Sequence, residues 1–365
     1  MRKVSSIEGL RGILALWVVF GHTLASAGLG QNWRGPFKVL AFGGHAVDVF
    51  IIVSGFVIFY LLDSARESYG RFMWRRFLRL YPVYLICLIA SALLLPLDAE
   101  VYRHAPWPHP MNVNRIAIAE ASLAFLPQHL LAHLTMAHGL IPDSILKFAN
   151  YGILGQAWSL SLEWQFYAIA PVLFLAINNG EKTTLIIILF VSLTYFLIAG
   201  NEGFLPRHIP MFTLGVTSFL VWRRGPIEGW PLLMPAGVAL AYLVTGEPAV
   251  TIWTTVFLSF LSPRSLGAGI VRGFFESRPM QLLGHLSYSI YLTHSVVLLL
   301  SMALFERAGA QIIGQWPYFF LLLSMTCVGT LVSSTVLYKL VEVPCIEIGR
   351  RRRAYAQNPH GARTE

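Results

Sequence analysis

The chain has 365 residues, of which 56% are hydrophobic and only 12% are charged, and its formal net charge is +9. A soluble domain carries about 25% charged residues, so this composition excludes a water-soluble globule, and it excludes a disordered chain for the same reason. Three cysteines exclude a disulfide framework. The apolar stretches are about 20 residues long, whereas strands of a membrane barrel alternate over about 10, so the composition predicts an all-α polytopic membrane protein.

About ten stretches have the length that a membrane-crossing helix needs, which is about 20 residues. They cover residues 9–28, 42–62, 80–97, 159–178, 184–200, 208–222, 230–245, 249–263, 280–303 and 317–341. The first stretch resembles a signal peptide, because basic residues precede it and Ala25-Ser26-Ala27 follows. A retained helix is indicated instead by polar residues near its short apolar core: Glu8 and Arg11 lie just before this core, and His22 lies within it. We predict a transmembrane domain over residues 5–345 and a basic tail over residues 346–365.

Basic residues are distributed unevenly between the two sides of this bundle. With the N-terminus in the cytoplasm, 20 of the 27 Lys and Arg residues fall on the cytoplasmic side and 7 fall outside. The positive-inside rule therefore predicts that both termini are cytoplasmic and that the protein is a multi-pass protein of the plasma (inner) membrane. The net charge then reflects orientation and contact with lipid headgroups, and nucleic acid is not an expected partner.

The longest connection, residues 98–158, lies outside in this topology. It contains His104, His109, His129, His133 and His138. Residues 115–140 have helical apolar spacing but too many polar groups for a span, which predicts an interfacial or partly re-entrant segment. His129 and His133 are four residues apart without a His-Glu-x-x-His motif, so we expect no metal site.

Ionisable residues inside predicted spans are functional candidates, because lipid solvates charge poorly. Arg11 and His22 are eleven residues apart, which is about three turns and about 16 Å of helix, so both face one pathway. Asp48 lies in the second span and needs a cation or donors, and Glu163 in the fourth span is positioned to orient His22 as a general base. The alternatives are structural: a snorkelling arginine, a histidine bonded to backbone, and a glutamate bonded to tryptophan or hydroxyl donors.

Arg76 and Arg79 are three residues apart, so they share one helix face that suits phosphate groups. The alternative is a basic anchor at the cytoplasmic membrane surface. Ser54-Gly55 in the second span is typical of helix packing, with a ligand contact as the other interpretation. Ser287, Tyr291 and His294 fall at i, i+4 and i+7 of the ninth span, and such a polar stripe faces either a cavity or a partner helix.

Together these segments resemble acyltransferase family 3, the bacterial membrane O-acyltransferases. The resemblance covers residues 5 to about 345. It is carried by Ile7-Glu8-Gly9-Leu10-Arg11-Gly12 with His22, by residues 50–56, by Arg76-Phe77-Leu78-Arg79 with Tyr81-Pro82, by Trp158 to Tyr167, and by Ser287 to His294. Three positions depart from the family pattern: Glu8 replaces a usual Asp, Trp164 a common second Glu, and Ile51 a common Phe.

The resemblance implies transfer of an acyl group, usually acetyl, from cytoplasmic acyl-CoA to a hydroxyl of an extracytoplasmic glycan or lipid-linked saccharide, with no permanently bound cofactor. It implies His22 as general base or acyl carrier, oriented by Glu163 or Asp48. The expected substrate contacts are Arg11, Arg76, Arg79, Ser54, Trp158, Ser161, Tyr288, Tyr291 and His294.

The chain stops soon after its last predicted span, so we expect it to transfer the acyl group directly or to hand it to a periplasmic transferase partner. The alternative function is a flippase for polyprenol-linked glycans or a small-molecule transporter, because polar residues within the membrane suit those functions as well.

Overall fold

The computed structural model describes residues 5–65, 67–181 and 202–357, and its regular elements are all helical. The helices are α1 (Ser5–Ser26), α2 (Gly35–Ala41), α3 (Gly44–Ala65), α4 (Tyr69–Arg103), α5 (Pro110–Ala124), α6 (Leu126–Leu134), α7 (Trp158–Asn179), α8 (Ile209–Arg223), α9 (Leu233–Thr245), α10 (Pro248–Leu261), α11 (Ala268–Phe275), α12 (Arg278–Arg307), α13 (Gln315–Leu337) and α14 (Val343–Gln357). Short 3-10 turns lie at His138–Leu140, Gly155–Ala157, Leu205–His208 and Ala310–Ile313. The expectation of an all-α protein is confirmed for these residues.

Six helical segments among the described residues are long and apolar enough to cross a membrane. They are Ser5–Ser26, Gly44–Ala65, Tyr69–Arg103, Gly155–Asn179, Arg278–Arg307 and Gln315–Arg350, and they match the first four and the last two predicted stretches. The stretch predicted at 184–200 lies outside the described residues. These segments indicate a multi-pass membrane protein.

The predicted sixth, seventh and eighth spans form helices that are too short for a perpendicular crossing. Helices α8, α9 and α10 have 15, 13 and 14 residues, or about 20 Å of rise against a hydrocarbon core of about 30 Å. Helix α9 ends at Gly246 in the left-handed conformation, and Pro248 opens α10 only two residues later. Local breakers therefore separate α9 from α10, and the predicted count of about ten spans is not confirmed: six are found among the described residues, and one of the ten lies outside them.

The long connection at 98–158 is largely folded. Helix α4 continues to Arg103, and α5 and α6 follow within the connection. His109 caps α5, since its Nδ1 accepts a hydrogen bond from the Met111 amide at 3.1 Å. The Asn112 amide donates to the Ser26 carbonyl at 3.4 Å, which ties this connection to the end of α1.

Glycines set the closest helix crossings. A Cβ on Gly12 of α1 would lie 2.7 Å from the Gly284 nitrogen of α12, and one on Gly284 would lie 2.1 Å from the Glu8 carbonyl oxygen. A Cβ on Gly215 of α8 would lie 2.0 Å from the Ile52 carbonyl oxygen of α3. Small residues permit such approaches in membrane bundles. They hold α1 against α12 and α8 against α3, and α1, α3 and α12 line the site described below.

The last span contains a π-helical turn. Residues Tyr338–Glu342 adopt this wider winding between α13 and α14, and π turns are often found at functional sites. The turn leaves the side chain of Glu342 completely buried and in contact with α4 and α12. Helix α14 then continues from Val343 to Gln357, across the boundary expected at residue 345.

Candidate active site

A narrow cavity of about 100 Å³ lies between α1, α3, α4, α7 and α12, and we call it the inner chamber. Its polar lining comes from all five helices: Arg11, Ser54, Arg76, Arg79, Ser159, Glu163, Tyr167, Ser287, Tyr288 and Tyr291. Most of these residues are candidates from separate segments of the sequence, and the fold places them around one cavity. Ser287 and Tyr291 line this cavity, so the polar stripe of α12 faces a cavity, one of its two expected alternatives.

A wider cavity of about 500 Å³, the vestibule, adjoins the inner chamber. The two cavities share Arg11, Arg76 and Arg79 in their linings. The rest of the vestibule wall comes from α1, α3, α4, α12, the π turn and α14, and its other charged residues are Glu8, Arg75, Glu347 and Arg350. The vestibule therefore opens at the end of the bundle that carries the basic clusters.

The arginines of the vestibule differ in their partners. Arg79 forms an ion pair with Glu342 at 2.6 Å, and Arg75 forms a two-pronged pair with Glu67 at 2.8 and 2.9 Å. Arg11 and Arg76 have no ion pair within the part of the chain that the structure describes, and the buried Arg76 Nε has no hydrogen-bond partner there. Two guanidinium groups at the junction of the cavities are thus available to an anionic ligand.

Glu163 is bonded to hydroxyl groups. The Ser54 hydroxyl donates to its Oε1 at 2.5 Å, and the Tyr167 hydroxyl donates to its Oε2 at 3.0 Å. Tyr167 follows Glu163 by one helical turn, an i, i+4 spacing that the sequence analysis did not use. Among the described residues the structure does not bring Glu163 to His22, so its contacts fit the hydroxyl-bonded alternative instead.

His22 lies against His294. Their ring centroids are 5.2 Å apart at an interplanar angle of 68°. The Nδ1 of His294 is 2.8 Å from the Tyr291 carbonyl oxygen. Because a carbonyl oxygen only accepts, Nδ1 carries the proton, which makes Nε2 of the neutral ring an acceptor. This buried Nε2 has no hydrogen-bond partner in the described chain. Tyr291 lines the inner chamber, and its ring lies 6.1 Å from that of His294. His22 itself lines neither the inner chamber nor the vestibule, and the rings of Tyr291 and His294 lie between the chamber and His22.

The remaining predicted site residues lie away from the chamber wall. Asp48 is partly buried near the negative charges of Glu247 and Glu202, and it makes no hydrogen bond to His22 or Arg11. The Trp158 ring packs 5.4 Å from His208. The Ser161 hydroxyl donates to the Met136 carbonyl at 2.7 Å and accepts from the Gly139 amide at 3.1 Å, so it holds the long connection against α7.

Tyr288 lines the chamber and is itself held in place. Its hydroxyl donates to the Leu80 carbonyl at 2.6 Å, and the Arg79 guanidinium lies 5.9 Å from its ring. Two site residues are not predicted from the sequence. One is Ser159, whose hydroxyl lies 2.8 Å from that of Tyr291. The other is Glu342, the partner of Arg79. Arg79 and Glu342 are 263 positions apart, and no sequence signal relates them.

The described residues contain no group of three or more His, Cys, Asp and Glu side chains that could hold a metal ion. In the long connection, the rings of His133 and His138 stack at 4.0 Å. The Tyr84 hydroxyl donates to the His133 carbonyl at 2.8 Å. These contacts make the histidines part of the packing between α4, α6 and the turn at His138–Leu140.

Comparisons with known proteins agree with the resemblance. A family model described as an acyltransferase domain matches residues 4–335. The acyltransferase MdmB of Streptomyces mycarofaciens is 24% identical, over 100% of this chain and 97% of the relative. The O-acetyl transferase of Shigella phage Sf6 is 25% identical, over 74% and 72%. The exopolysaccharide production protein ExoZ of Rhizobium meliloti is 29% identical, over 86% and 93%.

No solved structure matches this chain. The family model nonetheless covers nearly the whole sequence, and the arginines, the glutamate and the tyrosines of the inner chamber all lie within the matched residues. The relatives are named for acyl transfer or for polysaccharide production, and several are O-acetyltransferases. The chain therefore belongs to acyltransferase family 3, and it is an acyl-transferring enzyme of multi-pass helical architecture.

Proposed function

We propose that the protein transfers an acetyl group from cytoplasmic acetyl-CoA to a hydroxyl of an extracytoplasmic glycan, working in the plasma membrane with both termini in the cytoplasm. The observation that carries the proposal is the pair of adjoining cavities that share Arg11, Arg76 and Arg79. One cavity opens at the basic end of the bundle, and the other is lined by Tyr291, whose ring lies 6.1 Å from that of His294, which in turn packs against His22. This arrangement suits a donor that enters from one side and an acceptor that arrives from the other.

The donor's phosphates would occupy the vestibule, where Arg11 and Arg76 form no ion pair among the described residues, although the carboxylates of Glu8 and Glu347 also line this cavity. Guanidinium groups match phosphate oxygens in geometry and charge. Arg79 contributes positive potential, although Glu342 balances part of it. The narrow, largely apolar inner chamber would take the uncharged arm that carries the thioester, with Ser54 and Tyr167 fixed by Glu163 along its wall.

His22 would act as the general base at the far end of this path. Its imidazole takes the proton of the acceptor hydroxyl as the oxygen attacks the thioester carbonyl carbon. The tetrahedral intermediate then breaks the carbon–sulfur bond, the thiolate of CoA leaves and takes a proton, and a glycan ester remains. A covalent acyl-histidine is the other route that the same residue allows. In either route, Glu163 orients the chamber wall, and Asp48 is not in position to orient His22.

Membrane lipids surround the protein in this proposal, and nucleic acid has no part in it. The glycan class of the acceptor is inferred from the relatives, because one is named for exopolysaccharide production and another as an O-acetyl transferase. Transfer outside the membrane occurs either directly or through a periplasmic transferase that receives the acyl group.

The test uses the purified protein in lipid nanodiscs with labelled acetyl-CoA and surface polysaccharide from the host, freed of its esters by alkali. Wild-type protein should transfer label to the polysaccharide and release CoA, and His22→Ala should lose transfer by more than about a hundredfold, the usual contribution of a general base. His104→Ala removes an exposed imidazole elsewhere and should retain activity. Normal transfer by His22→Ala would exclude the mechanism.

The transporter or flippase alternative makes a different prediction in the same preparation. It requires movement of a glycan or small molecule into vesicles without release of CoA. The family finding favours the enzyme, because the relatives are named for acyl transfer. Uptake without any transfer of label would favour the transporter.

A further inference from the structure

A third cavity, of about 330 Å³, lies immediately beyond the end of α1. We call it the aromatic groove. Its walls come from the chain segment after α1, from the segment between α4 and α5, and from the first residue of α13. Its main lining residues are Gly28, Gln31, Asn32, Trp33, Trp107 and Gln315.

The chemistry of this lining is distinctive. Two indole rings and three primary amides face the cavity, and none of its lining residues is charged. The side chains of Gln31 and Asn32 are exposed, and neither makes a hydrogen bond within the described chain. Amide groups both donate and accept hydrogen bonds, and indoles offer a flat apolar surface. A sugar ring, with C–H groups on its faces and hydroxyls at its edge, complements this combination.

The groove is preformed by the packing around it. Gly28 adopts a φ of 74°, and a Cβ there would lie 2.4 Å from that of Trp107. The Gln315 amide donates to the Ala27 carbonyl at 3.0 Å, and the Trp107 ring packs 5.1 Å from Tyr318. Trp33 lies nearly parallel to Trp316, with centroids 6.5 Å apart. Such rigidity lowers the entropy lost when a ligand binds.

The position of the groove relates it to His22. Helix α1 begins at the vestibule, passes the inner chamber at Arg11, carries His22, and ends directly before Gly28. Gly28 is six positions after His22, which is about 9 Å along the chain at helical rise. The groove therefore lies at the opposite end of the bundle from the donor vestibule and within about one sugar unit of the proposed base.

We infer that the aromatic groove binds an uncharged sugar ring of the acceptor glycan and thereby presents a neighbouring hydroxyl to His22. This inference rests on the proposed function, since it names the acceptor subsite of the same reaction. The absence of charge from the lining favours a neutral ring over a sugar acid at this position. Trp33 and Trp107 are the stacking surfaces, and Gln31, Asn32 and Gln315 are the hydrogen-bonding groups.

Tryptophans at the ends of membrane helices also act as interfacial anchors. An anchoring role predicts lower membrane yield or altered insertion when the indole is removed, with an unchanged KM for each substrate in the protein that remains. A sugar-binding role predicts a change in the acceptor KM alone. The two roles are therefore separable by kinetics.

The experiment compares wild type, Trp33→Ala and Trp33→Phe in nanodiscs, with labelled acetyl-CoA and the alkali-treated host polysaccharide. Loss of a stacked aromatic ring in Trp33→Ala should raise the KM for polysaccharide about tenfold. The KM for acetyl-CoA should stay unchanged. Trp33→Phe keeps an aromatic ring, so its KM for polysaccharide should be close to that of wild type. Trp230→Ala is the matched control, because it removes an indole that is 68% exposed and is not part of the groove; its KM values should match wild type.

The double variant Gln31→Ala/Asn32→Ala tests the same inference if Trp33→Ala folds poorly. It should fold normally, because these exposed side chains have no structural partners in the described chain. It should also raise only the polysaccharide KM. An unchanged polysaccharide KM in both variants, in a preparation where wild type is active, would overturn the inference and leave the proposed function intact. A wild-type protein that transfers no label would count against the proposed function itself.

Discussion

At the scale of single residues, Arg79 and Glu342 show how the bundle tolerates charge. The Glu342 side chain is fully buried, its Oε1 pairs with Arg79 at 2.6 Å, and its Oε2 accepts from the Ser289 hydroxyl at 2.8 Å. A buried ion pair is close to neutral overall, but removal of one member leaves the other uncompensated. The pair therefore fixes the geometry of α4, α12 and the π turn around the vestibule.

Glu342→Gln should lower the free energy of unfolding by about 3 kcal/mol, because the Arg79 guanidinium loses its counter-charge in a buried setting. Thermal unfolding in detergent would measure the change. Glu347→Gln, at an exposed carboxylate on the same helix end, should stay within about 0.5 kcal/mol of wild type. Equal stability of the two variants would mean that Arg79 finds another partner.

Arg76 has a different environment, since no carboxylate pairs with it among the described residues. Arg76→Gln should raise the KM for acetyl-CoA about tenfold or more, the equivalent of losing a hydrogen bond to a charged group. Its folding stability should change little, because no ion pair is broken. Arg224→Gln removes an exposed arginine outside the vestibule and serves as the control. Equal KM values for the two variants would remove Arg76 from the donor site.

At the scale of secondary-structure elements, backbone contact between α3 and α8 holds Ser54 on the chamber wall. Gly55 and Gly215 face each other at the crossing, and a Cβ on Gly55 would lie 2.5 Å from the Phe212 carbonyl oxygen. The sequence interpretation of Ser54-Gly55 as a packing patch is correct for Gly55. Ser54, on the adjacent position, faces Glu163 instead.

Gly215→Ala should separate α3 from α8 and destabilise the protein by about 1–3 kcal/mol, as overpacking usually does. Gly273→Ala is the control, because an added Cβ there meets no atom within 4 Å, and it should be neutral or slightly stabilising. Both are measured by thermal unfolding in detergent. A neutral Gly215→Ala would contradict the close crossing.

The stacked pair His133 and His138 belongs to the long connection, outside the membrane-crossing helices. Burial lowers the pKa of His138 to about 4, and burial together with the nearby His138 lowers the pKa of His133 well below its usual range. Since the unfolded chain binds these protons near pH 6.5 and the folded chain does not, stability falls as the pH drops below about 6.5.

Unfolding in detergent at a series of pH values should show this loss, at up to about 1.4 kcal/mol per pH unit for each imidazole between about pH 6 and pH 4. His138→Gln removes one of these groups and should reduce the slope by up to about 1.4 kcal/mol per pH unit. His104→Ala removes an exposed imidazole and should leave the slope nearly unchanged. A slope identical in wild type and His138→Gln would contradict the assignment.

At the scale of the whole molecule, the proposed function requires one orientation in the membrane, with the vestibule on the donor side and the aromatic groove on the acceptor side. The basic residues favour a cytoplasmic vestibule. Lys38 is exposed on α2, near the groove end, and Arg224 is exposed after α8. In our topology these two residues lie on opposite sides of the membrane.

Lys38→Cys should react with a membrane-impermeant maleimide in intact cells, whereas Arg224→Cys should react only after the membrane is opened. The native cysteines, Cys87, Cys327 and Cys345, are buried or partly buried, so the parent protein measures the background. The opposite labelling pattern would reverse the sides assigned to donor and acceptor.

The sequence by itself determined the helical membrane class, the basic end of the bundle and the identity of most chamber residues. These properties are local, because hydrophobicity, helical periodicity and charge act over about 20 consecutive residues. Motif resemblance added Trp158, Ser161 and Tyr288 to the candidate site, and of these three only Tyr288 lines the chamber.

Only the tertiary structure decided which of those residues meet. Ser54 bonds to Glu163 across 109 positions, Arg79 to Glu342 across 263, and His22 packs against His294. Each pairing depends on where helices cross, and the crossings are set by backbone approach at glycines such as Gly12, Gly215 and Gly284. The periodicity of a single helix shows which face is polar, but it contains no information about which other helix that face will meet.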